Sequence, residues 1–110
     1  MIIALPTSTS GEKSFISENF GRCNFFYIYD TETEIGKVYT NIYKDGQHGV
    51  GLKAAEFVLN QNADVLITPR VGEKSLEVFK TTNIKIYECT NEIVKNNIAS
   101  FLNNELKELH

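Results

Sequence analysis

Of the 110 residues only two are cysteine and two proline, and no Cys-x-x-Cys pair occurs. The lack of closely spaced thiols argues against a disulfide framework and against a self-contained four-thiolate cluster site. Cys23 and Cys89 lie far apart, so their expected chemistry is that of free thiols in a reducing compartment. Apolar runs long enough to span a membrane are also missing, and no membrane partner is expected. The N-terminal Met1-Ile-Ile-Ala-Leu-Pro6 has neither the basic start nor the cleavage site of a signal peptide. It reads as a first strand, and a cytoplasmic location is predicted. A basic excess is lacking too: 11 Lys and Arg stand against 14 Asp and Glu, a net charge of -3. Sequence-independent nucleic-acid binding is therefore not expected, because it needs cations to displace phosphate counterions. A local site for an anion remains compatible with this balance. Repeats, linkers and low-complexity tracts are absent, and 42% hydrophobic with 23% charged residues is an ordinary globular composition. One domain over residues 1–110 is predicted.

What is present is a regular alternation of short apolar runs and helical patterns. β-branched and apolar runs predict strands at about residues 2–5, 24–29, 37–43, 64–68 and 84–88. The polar connection Thr31-Glu-Thr-Glu-Ile-Gly36 suits an antiparallel hairpin between the second and third. Helical spacing is carried by Ala55, Val58 and Leu59 over 51–61, and by Leu76 and Phe79 over 73–81. A third helix is predicted over 91–109, on Val94, Ile98, Phe101, Leu102, Leu106 and Leu109, with Thr90 or Asn91 as its cap. The order β-β-β-α-β-α-β-α implies right-handed crossovers and a three-layer α/β fold, with a five-stranded mixed sheet containing one antiparallel strand. The aromatic run Phe25-Phe26-Tyr27-Ile28-Tyr29 alternates across a strand and is read as packing on both sheet faces rather than as a base-stacking platform.

In that topology Cys23, His48, Arg70 and Cys89 all fall at the carboxyl edge of the parallel strands, where open α/β sheets bind ligands. Two chemistries are conceivable there. Cys23, Cys89 and His48 are the soft or borderline ligands that could hold a metal or an iron-sulfur cluster. Against this stands the plainer reading of each cysteine as a small apolar residue at a strand end, and of His48 as an exposed turn residue. Arg22 beside Cys23 would favour thiolate. Alternatively, Gly49-Val-Gly-Leu-Lys-Ala54 enters a helix, where free amides and the helix dipole attract negative charge. Arg70-Val71-Gly72 leads into another helix at the same edge, so two helix starts, Arg22 and Arg70 could surround one anion. A dinucleotide site is not expected, since the glycines follow the third strand and no acidic residue ends the fourth. Two-metal nuclease chemistry is not expected either, because strands one and four carry no carboxylate. No Ser-His-Asp arrangement suggests itself.

Three segments in order, Asn19-Phe20-Gly21-Arg22 before the aromatic strand, Gly49-Val50-Gly51 at the first helix and Arg70-Val71-Gly72 at the second, carry a likeness over nearly the whole chain. The sequence resembles the nitrogenase iron-molybdenum cofactor biosynthesis family, that is, NifX-like proteins and the C-terminal domain of NifB. The resemblance implies a ribonuclease H-like fold without nuclease activity. It also implies a small non-catalytic carrier or scaffold for an iron-sulfur or iron-molybdenum cofactor precursor, with cluster-donor and acceptor proteins as partners. Asn19, Phe20, Gly21, Arg22, Gly49, Gly51, Arg70 and Gly72 would bind the cofactor, and Cys23, Cys89 and His48 would be metal ligands. Family members commonly carry His where Asn19 stands, and Cys23 would substitute for it. The competing reading is a regulatory module that binds a small anionic metabolite at the same edge without metal.

Overall fold

A computed structural model describes residues 1–10 and 14–110. Five strands, β1 (Ile2–Thr7), β2 (Phe25–Asp30), β3 (Ile35–Thr40), β4 (Val65–Thr68) and β5 (Lys85–Glu88), alternate with helices α1 (Val50–Asn60), α2 (Glu73–Phe79) and α3 (Val94–Leu102). They form one sheet in the order β3-β2-β1-β4-β5. β2 is antiparallel to both β1 and β3, with Ile2 opposite Asp30 and Phe25 opposite Thr40, while β4 pairs in parallel with β1 and β5. This is the three-layer, ribonuclease H-like α/β arrangement that the sequence implies.

The period-two alternation of each strand splits the core. Ala4, Phe26, Ile28, Leu66 and Ile86 face one side with Ala54, Ala55 and Val58 of α1 and Phe79 of α2. Ile3, Leu5, Tyr27, Val65 and Ile67 face the other, with Val94 and Ile98 of α3. Phe26 stacks on Phe57 at a centroid distance of 5.0 Å, whereas Tyr27 and Tyr29 stack on the opposite face. The aromatic strand thus feeds both layers, as its alternation predicts.

The third strand and the third helix differ most from the sequence expectation. The third strand starts earlier and ends at Thr40 rather than running to residue 43. Asn41 turns inward and is 2% exposed, while Ile42 beyond it is 77% exposed, so the apolar Ile42-Tyr43 pair is turn, not strand. Gly36 belongs to β3 rather than to the hairpin connection, pairing with Tyr29, and the Tyr27 hydroxyl occupies the space a β-carbon there would need.

The third helix begins at Val94 and ends at Leu102, not at 109. Asn104 takes the left-handed conformation at φ 59°, which asparagine tolerates well, and the chain reverses. Residues 107–110 then run back along β5: Glu88 N–H donates to Lys107 O at 2.8 Å and Ile86 N–H to His110 O at 2.9 Å. The helical spacing of Leu106 and Leu109 is coincidental. Leu106 packs instead into the α3-side core, and the tail covers a sheet edge that would otherwise expose unpaired amides. Neither Thr90 nor Asn91 is the cap; Ile93 holds that position, and Asn91 Oδ1 accepts the Ile93 amide just before the helix, at 2.9 Å.

Candidate functional site

The loop from β1 into β2 is built by short-range bonds around one buried ring. Asn19 Oδ1 accepts the Arg22 amide at 3.0 Å, closing a turn, and Ser17 Oγ donates to Asn19 O. Phe20 at the apex points inward, with its ring centroid 5.9 Å from that of Phe26 and 5.7 Å from that of Phe79. This buried anchor fixes the loop against α2 while leaving Arg22 exposed, its guanidinium donating to Lys44 O at 2.8 Å.

The second wall is the start of α1. Its cap residue, Gly49, sits at φ 68°, a conformation that disfavours any β-carbon. No side chain caps the helix, and the amides of Val50, Gly51 and Leu52 have no partner among the described residues. These are the free donors at the positive end of a helix dipole. The third wall is the turn after β4, where Thr68 Oγ1 donates to Arg70 O at 3.1 Å and Arg70 is exposed. Gly72 then caps α2 in extended conformation.

The three walls are fitted at small residues. A β-carbon on Gly21 would lie 3.2 Å from Gly51 Cα, and one on Gly51 would lie 2.7 Å from Ser75 Oγ. Ser75, buried in the first turn of α2, donates its hydroxyl to Gly51 O at 3.0 Å. Between the walls lies a cleft of about 360 Å³. Asn19, Phe20, Gly21, Arg22, Gly49, Gly51, Arg70 and Gly72 all line it, so the structure brings together every residue of the expected cofactor-binding set. The only two arginines in the chain are both there, opposed by one carboxylate, Glu18. Sequence reasoning missed Glu18, Gln47, Val50, Val71 and Ser75, which complete the lining. Their adjacency to the motifs was the one available signal, and Ser75 carried none, since its role depends on the contact between α1 and α2.

The three expected metal ligands are not brought together. Cys23 is 1% exposed and packs in the α1/α2-side core; burial pushes its thiol up from an ordinary 9.0 to about 12, despite a weak contact with Asn41. Such a thiol presents no thiolate at neutral pH. Cys89 packs, half-buried, on the α3 side, where desolvation also raises its pKa. His48 is exposed and lies outside the cleft lining. Among the described residues no three His, Cys, Asp or Glu side chains are grouped to hold a metal ion. The plainer reading of the two cysteines as apolar strand-end residues matches their surroundings.

Comparison with known proteins bears on the family and the fold. A family model described as dinitrogenase iron-molybdenum cofactor matches residues 1–104. An uncharacterised protein of Methanocaldococcus jannaschii is 32% identical over 111 aligned residues, covering 98% of this chain and 91% of that protein. The orange protein of Desulfovibrio gigas, solved in its apo form, superposes with a TM-score of 0.91 at 25% identity, over 97% of this chain and 91% of that one. A Thermotoga structure described as a candidate NifB protein superposes with a TM-score of 0.85 at 30% identity, covering 98% of this chain and 92% of that one. With its motifs assembled at one cleft and the family model matching nearly end to end, this chain belongs to the dinitrogenase iron-molybdenum cofactor family.

Proposed function

We propose that the protein is a non-catalytic carrier or scaffold that takes a preassembled, anionic metal-sulfur cluster as cargo, an iron-molybdenum cofactor or its iron-sulfur precursor. The observation that carries this reading is the pairing of both arginines with the uncapped start of α1 in one cleft, while both thiols lie elsewhere. Arg22 and Arg70 supply positive charge, and the α1 amides supply directed donors. Phe20, Val50 and Val71 are apolar lining that suits the soft, polarisable sulfides of such a cargo. Its metals bring their own sulfide and thiolate ligands, so the protein recognises charge and shape rather than completing a coordination shell. Holding without transforming is what a donor-to-acceptor relay between partner proteins requires. The free cysteines suit a reducing, cytoplasmic setting, and among the described residues no helix is long and apolar enough to cross a membrane.

A cleft without thiols also suits a module for a small anionic metabolite, and the test separates the two. Isolated iron-molybdenum cofactor is titrated anaerobically into wild type, an Arg22→Ala, Arg70→Ala double variant and a Cys23→Ser, Cys89→Ser double variant, and followed by visible absorption and bound molybdenum. Near-stoichiometric binding that is lost in the arginine variant and kept in the folded cysteine variant is expected. Wild type that takes up no cofactor, and none of the cluster formed from iron and sulfide, would sink the carrier reading and favour the metabolite module. Binding that depends on the cysteines instead would restore them as ligands.

A further inference from the structure

Behind the cleft lies a residue that neither the motifs nor the lining reveal. Asn41, the first residue after β3, is 2% exposed and does not touch the cleft. Its side chain nevertheless binds the cleft loop at two points: Nδ2 donates to Gly21 O and to Cys23 O, each at 3.0 Å. Its Oδ1 accepts the Tyr43 amide at 3.1 Å, and its own amide donates to Asn24 O at 3.0 Å. One buried carboxamide therefore joins the loop carrying Arg22 to the turn that leads to Gly49.

The two carbonyls it holds flank Arg22. Gly21 lines the cleft, and its carbonyl is turned toward a side chain buried behind the loop. Because a peptide's C=O and N–H point in opposite senses, this fixes the Arg22 N–H on the other side, where Asn19 Oδ1 receives it. A carbonyl rotated into the cleft would set its negative end against an anionic cargo, whereas the observed arrangement leaves the guanidinium and amides to face it.

We infer that Asn41 is a positioning residue of the cleft, holding the Gly21 carbonyl away from the cargo and bracing the loop through the Cys23 carbonyl, so that the loop presents Arg22 and not a peptide oxygen. The inference rests on the carrier reading above. It assigns Asn41 no contact with cargo: its action is through the backbone on either side of Arg22. An aspartate at this position has the same shape but, ionised, cannot donate to either carbonyl and repels both.

The test compares Asn41→Asp with Val94→Ala, which loosens the α3-side core on the opposite face of the sheet. Cofactor affinity is measured by the same anaerobic titration, with thermal midpoints and the amide resonances of Arg22 and Asn24 in the free proteins. Losing two hydrogen bonds that hold the loop should weaken binding about tenfold or more in Asn41→Asp. The Arg22 and Asn24 resonances should shift in that variant, while Val94→Ala keeps wild-type affinity and resonances despite its lower midpoint. Affinity that merely follows thermal stability in both variants would reduce Asn41 to a structural residue. Wild-type affinity in Asn41→Asp would overturn this inference alone, and a wild type that binds no cofactor would overturn the carrier reading together with it.

Discussion

The starts of α1 and α3 both lack a side-chain cap but are braced differently. At α3 the chain braces the approach to the helix: the Val94 amide donates to Ser14 O at 2.9 Å, while the Lys95 and Asn96 amides, like the first ones of α1, have no partner among the described residues. Asn97 Oδ1 accepts the amides of Thr90 and Asn91, while Asn97 Nδ2 donates to Asn91 O and Ile93 O. At α1 a glycine in left-handed conformation offers no cap, the first amides are left open, and two arginines stand nearby. Helices of similar length on the two faces of one sheet thus end differently. A helix start braced by its own chain contributes stability, whereas one left unbraced beside two arginines gives up that contribution and gains a place for negative charge.

That contrast should break most sharply at the arginines. Reversing both, Arg22→Glu with Arg70→Glu, should lower cofactor affinity more than about a hundredfold, while stability changes by only about 0.5 kcal/mol because both are exposed. Affinity titrations beside denaturant melts would show the split, and raised salt should weaken wild-type binding in the same direction. Asn97→Ala should do the reverse. Stripping four hydrogen bonds from a fully buried amide should cost about 2–4 kcal/mol in urea unfolding while leaving cofactor affinity untouched.

Smaller effects sharpen the comparison inside the cleft. Gly51→Ala places a methyl 2.7 Å from Ser75 Oγ, so the serine must rotate and lose its bond to Gly51 O. Destabilisation of about 1–2 kcal/mol is expected, with a severalfold loss of cofactor affinity; an unchanged affinity would mean the α1/α2 junction does not shape the cleft. The last effect concerns Cys23. Its folded pKa lies above the unfolded value, so its stabilising contribution is whole below pH 9.0 and is lost as the pH rises toward about 12. Unfolding free energies across that range should decline for wild type and decline less for Cys23→Ala. Iodoacetamide at pH 8 should spare Cys23 until the protein unfolds.

Much of the fold was legible because burial imposes periodicity. The aromatic alternation of β2 and the Ala55, Val58 stripe of α1 announce their faces directly. The eight cleft residues were named for two reasons: the helix-start glycines and the two arginines from their placement at one sheet edge, and Asn19, Phe20 and Gly21 through the family resemblance. Legibility stopped where two answers share one pattern. Leu106 and Leu109 fit a helix as well as they fit a returning tail, and only the left-handed turn at Asn104 decides between them.

The amino-acid sequence by itself determined the order of elements and the single mixed sheet, because local periodicity and chain crossover rules are properties of neighbours along the chain. Only the tertiary structure decided which edge residues line one cleft. Cys23 and Arg22 are adjacent, yet one is sealed in the core with a thiol near pKa 12 and the other stands in solvent. Asn41 bonds Gly21 O across 20 residues of chain, and Ser75 bonds Gly51 O across 24. Solvent access and long-range hydrogen bonds arise only when layers pack, and neither is a property of neighbours along the chain.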